Sequence, residues 1–305
     1  MEKRASSVED IIKEVLSGSP GGKSLPKKTI PKNGKVISFI NLKGGVGKTT
    51  LCLTIGEILA FEKKKQVLLI DLDSQSNLSS AVTAKETLQD YGRKKSTIYH
   101  LFKRLISMKT PSTRWNIEDA IVDHLYCSNI KGNKNFSAIL SLPELGQFDE
   151  DLADALEEQS RRELLSSIRV TVEWRRVLKN HISILRSKYD YILIDCPPSL
   201  SLFTSNAIVA SDYFVTPISP EYLSKQGLDL IMGRISRLRQ RLADVGIDFA
   251  GCIINRVDIR RGDHIRLCEE IYGHSEYRAF KYWVGDLKPM YIVTDYYYPW
   301  EKYWP

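Results

Sequence analysis

"NLKGGVGKTT", residues 41–50, is the stretch from which the rest of the chain is read. It overlaps the end of the β-branched run "KVISFINL" (35–42) and precedes Leu51, Ile55, Ile58 and Leu59 at helical spacing, which places it at a strand-to-helix turn. Such a turn aims backbone N–H groups and the positive end of a helix at one point, a geometry that binds phosphate. Gly44, Gly45 and Gly47 let the main chain curl round an anion, with Val46 and Thr50 completing the loop. Lys48 reaches the outer phosphates and the Thr49 hydroxyl is placed for Mg²⁺. The stretch departs from G-x-x-x-x-G-K-[ST] at its first position, where Leu42 stands beside a second lysine, Lys43.

Outward from this turn, "QVLLIDLD" (66–73), "YDYILIDCPP" (189–198), "DYFVTPIS" (212–219) and "FAGCIIN" (249–255) are apolar runs too continuous for half-exposed strands. They fit a parallel sheet covered on both faces, so the expected fold is α/β and doubly wound, with a mostly parallel sheet and helices on either side. Residues 34–305 read as a single phosphate-loop domain with a helical insertion around 83–190, in which "FSAILSLPEL" (136–145) adds a strand. Residues 1–33 read as a flexible extension rich in Gly, Pro and Lys, carrying one short amphipathic helix, "VEDIIKEVLS" (8–17). Two of the buried runs end in acids, Asp71 and Asp73 in one and Asp195 in the other. At the carboxyl ends of parallel strands, acids face the ligand crevice, where they order waters round Mg²⁺ or orient a water that attacks phosphate.

Composition narrows the class further. The longest apolar runs are far too short to cross a bilayer, and no apolar stretch follows the charged N-terminus, so a cytoplasmic protein is expected. The five cysteines lack paired spacing and the five histidines do not cluster, which argues for buried free thiols and against a zinc or iron–sulfur centre. A formal net charge of +7 suggests attraction to a polyanion.

"KGGVGKTT" (43–50), "DLDSQSN" (71–77), "ILIDCPPSLS" (192–201), "SPEYLSKQGL" (219–228) and "GCIINRVD" (251–258) together resemble the deviant Walker A ATPases of the ParA/MinD group, in the family order. The resemblance covers about residues 35–262 and implies ATP and Mg²⁺ as ligands. It makes Lys43 the signature lysine, which reaches the nucleotide of a second subunit in an ATP-bound homodimer. It gives Lys48 the phosphates of its own subunit, Thr49, Asp71 and Asp195 the metal shell, and Asp73 the attacking water. Asn255 matches an adenine-contacting asparagine, although "NRVD" (255–258) also approximates a guanine-reading motif.

ParA-type members bind DNA without sequence preference and respond to a ParB-like or adaptor protein; MinD-type members bind membrane. "GRISRLRQRL" (233–242) places Arg234, Arg237 and Arg241 in a basic stripe beside Ile231, Ile235, Leu238 and Leu242. Arg256, Arg260, Arg261 and Arg266 form a second cluster, in which Arg260 falls where the family has a DNA-contacting arginine. These arginines point to DNA-backbone binding and a nucleoid-associated protein. The ending "VTDYYYPWEKYWP" (293–305) lacks the basic amphipathic helix of a membrane-attached relative, so no stable membrane association is expected. A MinD-like positioning ATPase is the alternative.

Overall fold

The structure, a computed structural model, describes residues 34–106, 116–123, 125, 134–148, 150–151, 174–220 and 225–285. The expected N-terminal helix and the tyrosine-rich ending lie outside the described residues.

The described chain starts with β1 (Lys35–Phe39), turns through the glycine-rich loop, and enters α1 (Lys48–Glu57), which runs on into a π-helical turn at Ile58–Glu62. β2 (Val67–Asp71), α2 (Asn77–Val82), α3 (Lys85–Arg93) and α4 (Ile98–Ile106) follow. Next come β3 (Ile121–Val122), β4 (Phe136–Ile139), α5 (Val177–Ile182) and β5 (Tyr191–Asp195). The described chain closes with α6 (Leu202–Ala210), β6 (Tyr213–Ile218), α7 (Lys225–Arg241), β7 (Asp248–Ile254) and α8 (Gly262–Gly273).

The strands form one seven-stranded sheet in the order β3-β4-β2-β5-β1-β6-β7. All neighbours are parallel except β3 and β4. The expected doubly wound α/β fold is thus present. The interval 83–190, read as a helical insertion, carries α3, α4 and α5 but also lays β3 and β4 on the edge of the sheet.

Alternation along the strands shows why each run is apolar throughout. In β1, Val36 packs into one core layer and Ile37 and Phe39 into the other; in β2, Leu68 and Ile70 take the first side and Val67 and Leu69 the second. Helices α4 to α8 cover the first layer and α1 covers the second, so the strands are buried on both faces apart from the first residue of β1, β3, β5, β6 and β7, which is partly exposed. α1 lies close against the sheet because Gly56 has no side chain there: a Cβ would sit 2.9 Å from Leu69 Cδ2 and 3.0 Å from Phe136 Cε2.

At the amino end of the central strands, Arg186 joins several elements. Its guanidinium donates to the Gly34 carbonyl (3.1 Å), the Ala210 carbonyl (3.0 Å) and the Asp212 carboxylate (2.7 Å), which also accepts from the Val36 amide (2.8 Å). Behind it, the fully buried Asn206 donates to the Trp174 carbonyl and accepts from the Leu178 amide, holding α5 to α6. The described cysteines, Cys52, Cys196, Cys252 and Cys268, are buried free thiols, as the sequence suggests.

Candidate phosphate site

The carboxyl ends of β1, β2 and β5 meet at the glycine-rich loop. The β2–β5 register sets Asp71 opposite Asp195, and β1–β5 pairing sets Phe39 opposite Asp195, so the loop leaving β1 starts beside Asp195, with Asp71 one strand further on. Both acids are 1 % exposed.

The curl of the loop is held by its own Asn41 and by side chains that follow β7. Asn41 accepts from the Lys43 amide at 2.9 Å while donating to the Pro217 carbonyl on β6 at 2.6 Å. Asn255, at the end of β7, donates to the Val46 carbonyl at 2.9 Å, and Arg256 donates to the Gly45 carbonyl at 2.7 Å. Arg256 takes a positive φ of 62°, a conformation uncommon for a side chain of its size. Gly45 and Gly47 have φ of 75° and 88°. At Gly47 a Cβ would lie 2.1 Å from the Asn255 amide nitrogen, so this glycine answers both a backbone and a space requirement.

Lys48 opens α1 and is 7 % exposed; its ammonium donates to the Lys43 carbonyl at 3.0 Å. Burial lowers its pKa, while Asp195 and Asp73 favour the charged form. Lys43, Gly44 and Gly45 lie on the exposed side of the loop, so the two lysines of the opening stretch occupy different environments.

Asp71 has its oxygens committed. Oδ1 accepts from the Asp73 amide (3.0 Å), and Oδ2 accepts from the Ser79 amide (2.9 Å) and hydroxyl (2.7 Å). Burial nonetheless pushes its carboxyl up to about 6, against the lowering effect of Ser79. Asp195 differs: neither oxygen meets a donor in hydrogen-bonding geometry. Burial and then the neighbouring Asp71 push its pKa well above the usual carboxylate range, opposed by the nearby Thr49 hydroxyl and Lys48. A buried carboxylate without donors, beside a hydroxyl, suits a divalent cation that keeps waters and phosphate oxygens in its shell. Among the described residues no set of three or more His, Cys, Asp or Glu side chains forms a self-contained metal cage. Thr49 and Asp195 would hold the ion, with Asp71 behind them. Asp73, 8 % exposed, uses Oδ1 to accept from the Gln75 amide at 3.0 Å.

Of the arginines singled out from the sequence, Arg256 is taken up by the loop and Arg266 is exposed on α8; the other five separate into three groups. On α7, Ile231, Ile235, Leu238 and Leu242 are buried, and Arg237 and Arg241 are exposed on the opposite side. Arg234 is half-buried against α6, donating to the Ser205 hydroxyl at 2.8 Å; burial and the nearby Arg175, Arg237 and Arg241 lower its pKa. Arg260 and Arg261 precede α8, each in a forked ion pair with an aspartate two residues off, Asp258 and Asp263.

Sequence reading passed over Asn41, Ser79 and Ser141 and did not anticipate the contact of Arg256 with the loop. A signal was present for Asn41, a polar residue ending an apolar strand, and none for Ser141, whose contacts depend on where β4 docks.

A family profile described as "AAA domain" matches residues 34–245. The sporulation initiation inhibitor protein Soj of Bacillus subtilis is 28% identical over 249 residues, covering 81% of this chain and 83% of its own. The chromosome partitioning protein ParA of Myxococcus xanthus is 27% identical, covering 81% of this chain and 74% of its own. Among solved structures, a plasmid partition protein of Borrelia burgdorferi bound to AMPPNP superposes with a TM-score of 0.61 at 24% identity, over 88% of this chain and 92% of that one. With the profile spanning every strand but the last, the chain belongs to the AAA-domain family and, within it, to the ParA-type P-loop ATPases.

Proposed function

We propose that this protein is a partitioning ATPase. It closes as a homodimer around two ATP·Mg²⁺, holds DNA without sequence preference, and lets go when a ParB-like or adaptor protein speeds hydrolysis. The observation that carries the reading is the donor-less, buried Asp195 beside Thr49 and Lys48 under the loop, a set of charges that is balanced when a nucleotide and its cation are present. The partition and Soj/ParA names of the relatives support the cargo-positioning role.

Each side chain then has a task. The loop amides and Lys48 bind the phosphates, and Thr49 and Asp195 with Asp71 behind them orient the Mg²⁺, which when bound neutralises charge developing on the phosphates. Asp73 orients the attacking water. Asn255, buried at the end of β7 against the loop, contacts adenine. Lys43, exposed at the top of a loop whose backbone is already fixed by Asn41 and Lys48, extends to the partner subunit's nucleotide. Loss of the γ-phosphate removes that cross-subunit attraction and shifts the population to monomers. The protein is nucleoid-associated through Arg234, Arg237 and Arg241, with Arg260 and Arg261 as secondary contacts because each already has a carboxylate partner.

Size-exclusion chromatography with ATP and Mg²⁺ tests the dimer: the chain is expected to double in mass and Lys43→Ala to remain monomeric. A wild type that stays monomeric with a non-hydrolysable analogue overturns the scheme. Arg237→Glu with Arg241→Glu is expected to abolish retention on random-sequence DNA at moderate salt while leaving the dimer intact. Unchanged DNA retention rejects the α7 surface.

A further inference from the structure

Four buried residues from three parts of the fold form a closed hydrogen-bonded ring next to the phosphate site. The Asp73 amide donates to Asp71 Oδ1 (3.0 Å), and the Ser79 hydroxyl, on α2, donates to Asp71 Oδ2 (2.7 Å). The Ser141 amide, just beyond β4, donates to the Ser79 hydroxyl oxygen (2.8 Å), and the Ser141 hydroxyl returns to the Asp73 carbonyl (2.8 Å). Ser79 and Ser141 are both fully buried. Each hydroxyl proton is used once, so the direction of every bond in the ring is fixed.

The ring leaves the backbone of Asp73 little freedom, because its amide and its carbonyl are held from opposite sides. The next turn supports the same loop: a Cβ at Gly146 would stand 3.4 Å from Ser74 Cβ, so the segment after Ser141 packs against the residue following Asp73. Small displacements of a group that orients an attacking water are costly in rate, whereas nucleotide affinity resides in the glycine-rich loop on the other side of β5.

We propose that Ser79 and Ser141 are positioning residues for ATP hydrolysis: through the ring they fix Asp73 relative to the phosphate loop, so that β4 contributes to turnover without touching the nucleotide. This rests on the reading of Asp73 as the residue that orients the water.

The test compares steady-state ATP hydrolysis and equilibrium binding of a fluorescent ATP analogue in the full chain, with thermal melts to confirm folding. Ser141→Ala, which keeps the amide but removes the hydroxyl, and Ser79→Ala are each expected to lower kcat by roughly tenfold or more, with analogue affinity within about twofold of wild type. Ser79→Thr restores a hydroxyl and is expected to recover most of the turnover. In an Asp73→Ala background Ser141→Ala adds nothing, because the group it positions is gone. A wild-type kcat in both alanine variants overturns the proposal, as does an equal fall of affinity and turnover, or a full further loss in the Asp73→Ala background. A wild type that binds the analogue yet hydrolyses no ATP overturns the ATPase reading itself, a result distinct from all of these. Should Ser79→Ala fail to fold, Ser141→Ala alone decides.

Discussion

At Gly47 a φ of 88° coincides with an amide nitrogen of Asn255 standing 2.1 Å from where a Cβ would be. Gly47→Ala therefore combines a left-handed conformation with a clash that moves Asn255 off the Val46 carbonyl. A loss of about 1–3 kcal/mol in stability is expected from urea melts, together with loss of nucleotide binding by fluorescence titration. Asp195 carries the opposite sign. Its folded pKa is raised, so the folded state binds more protons than the unfolded one, and the nucleotide-free protein loses stability as pH climbs from the ordinary carboxylate range towards the folded pKa. Asp195→Asn removes that penalty while keeping the shape. The nucleotide-free variant is expected to melt a few degrees higher than wild type at pH 8, the gain shrinking near pH 4, and to gain little further stability from ATP and Mg²⁺. A lower melting point at pH 8 would contradict the account of its burial.

At the scale of elements, α1 depends on Gly56, where a side chain would press on Leu69 and Phe136. Gly56→Leu is expected to cost at least 1–3 kcal/mol through overpacking. In Gly56→Ala the gain in helix propensity, up to about 1 kcal/mol, is set against close contact with the end of Leu69 and the ring edge of the buried Phe136, so the net change should be smaller than in Gly56→Leu. Chemical denaturation of both variants distinguishes these outcomes. The elements differ in how visible they are in the sequence. β1, β2, β5, β6 and β7 are buried on both faces, and continuous apolar runs such as "VLLID" and "YILID" announce them directly. β3, only two residues long and paired antiparallel at the edge, has too few positions to leave a periodic trace. The phosphate loop is legible because its chemistry is local, with Lys48 and Thr49 following the glycines. Asp71 and Asp195 are legible as strand ends, but their difference is not. One has Ser79 as donor and the other has no donor, and that depends on contacts between residues far apart in the chain. The pairing of Arg260 with Asp258 was open to inspection, two residues apart in "DIR", yet a tally of positive charge passes over it.

For the whole molecule, the two ends of the sheet are finished differently. At the amino end, Arg186 satisfies three acceptors and is 15% exposed, so Arg186→Ala is expected to cost about 2 kcal/mol, measurable as a lower denaturation midpoint with nucleotide affinity unchanged. At the carboxyl end, Asp71 and Asp195 oppose each other in register, and the second has the Thr49 hydroxyl nearby but no donor in hydrogen-bonding geometry. Hydrogen exchange in the ligand-free protein should accordingly be slowest around Gly34, Val36 and Ala210 and faster in the turns after β2 and β5, with the contrast narrowing once ATP and Mg²⁺ are added.

That unanswered carboxylate also bears on how long a molecule survives in a cell. Molecules with a filled site are expected to open less often at that pole and to resist added protease longer than empty ones, a difference that limited proteolysis with and without ATP and Mg²⁺ would read directly.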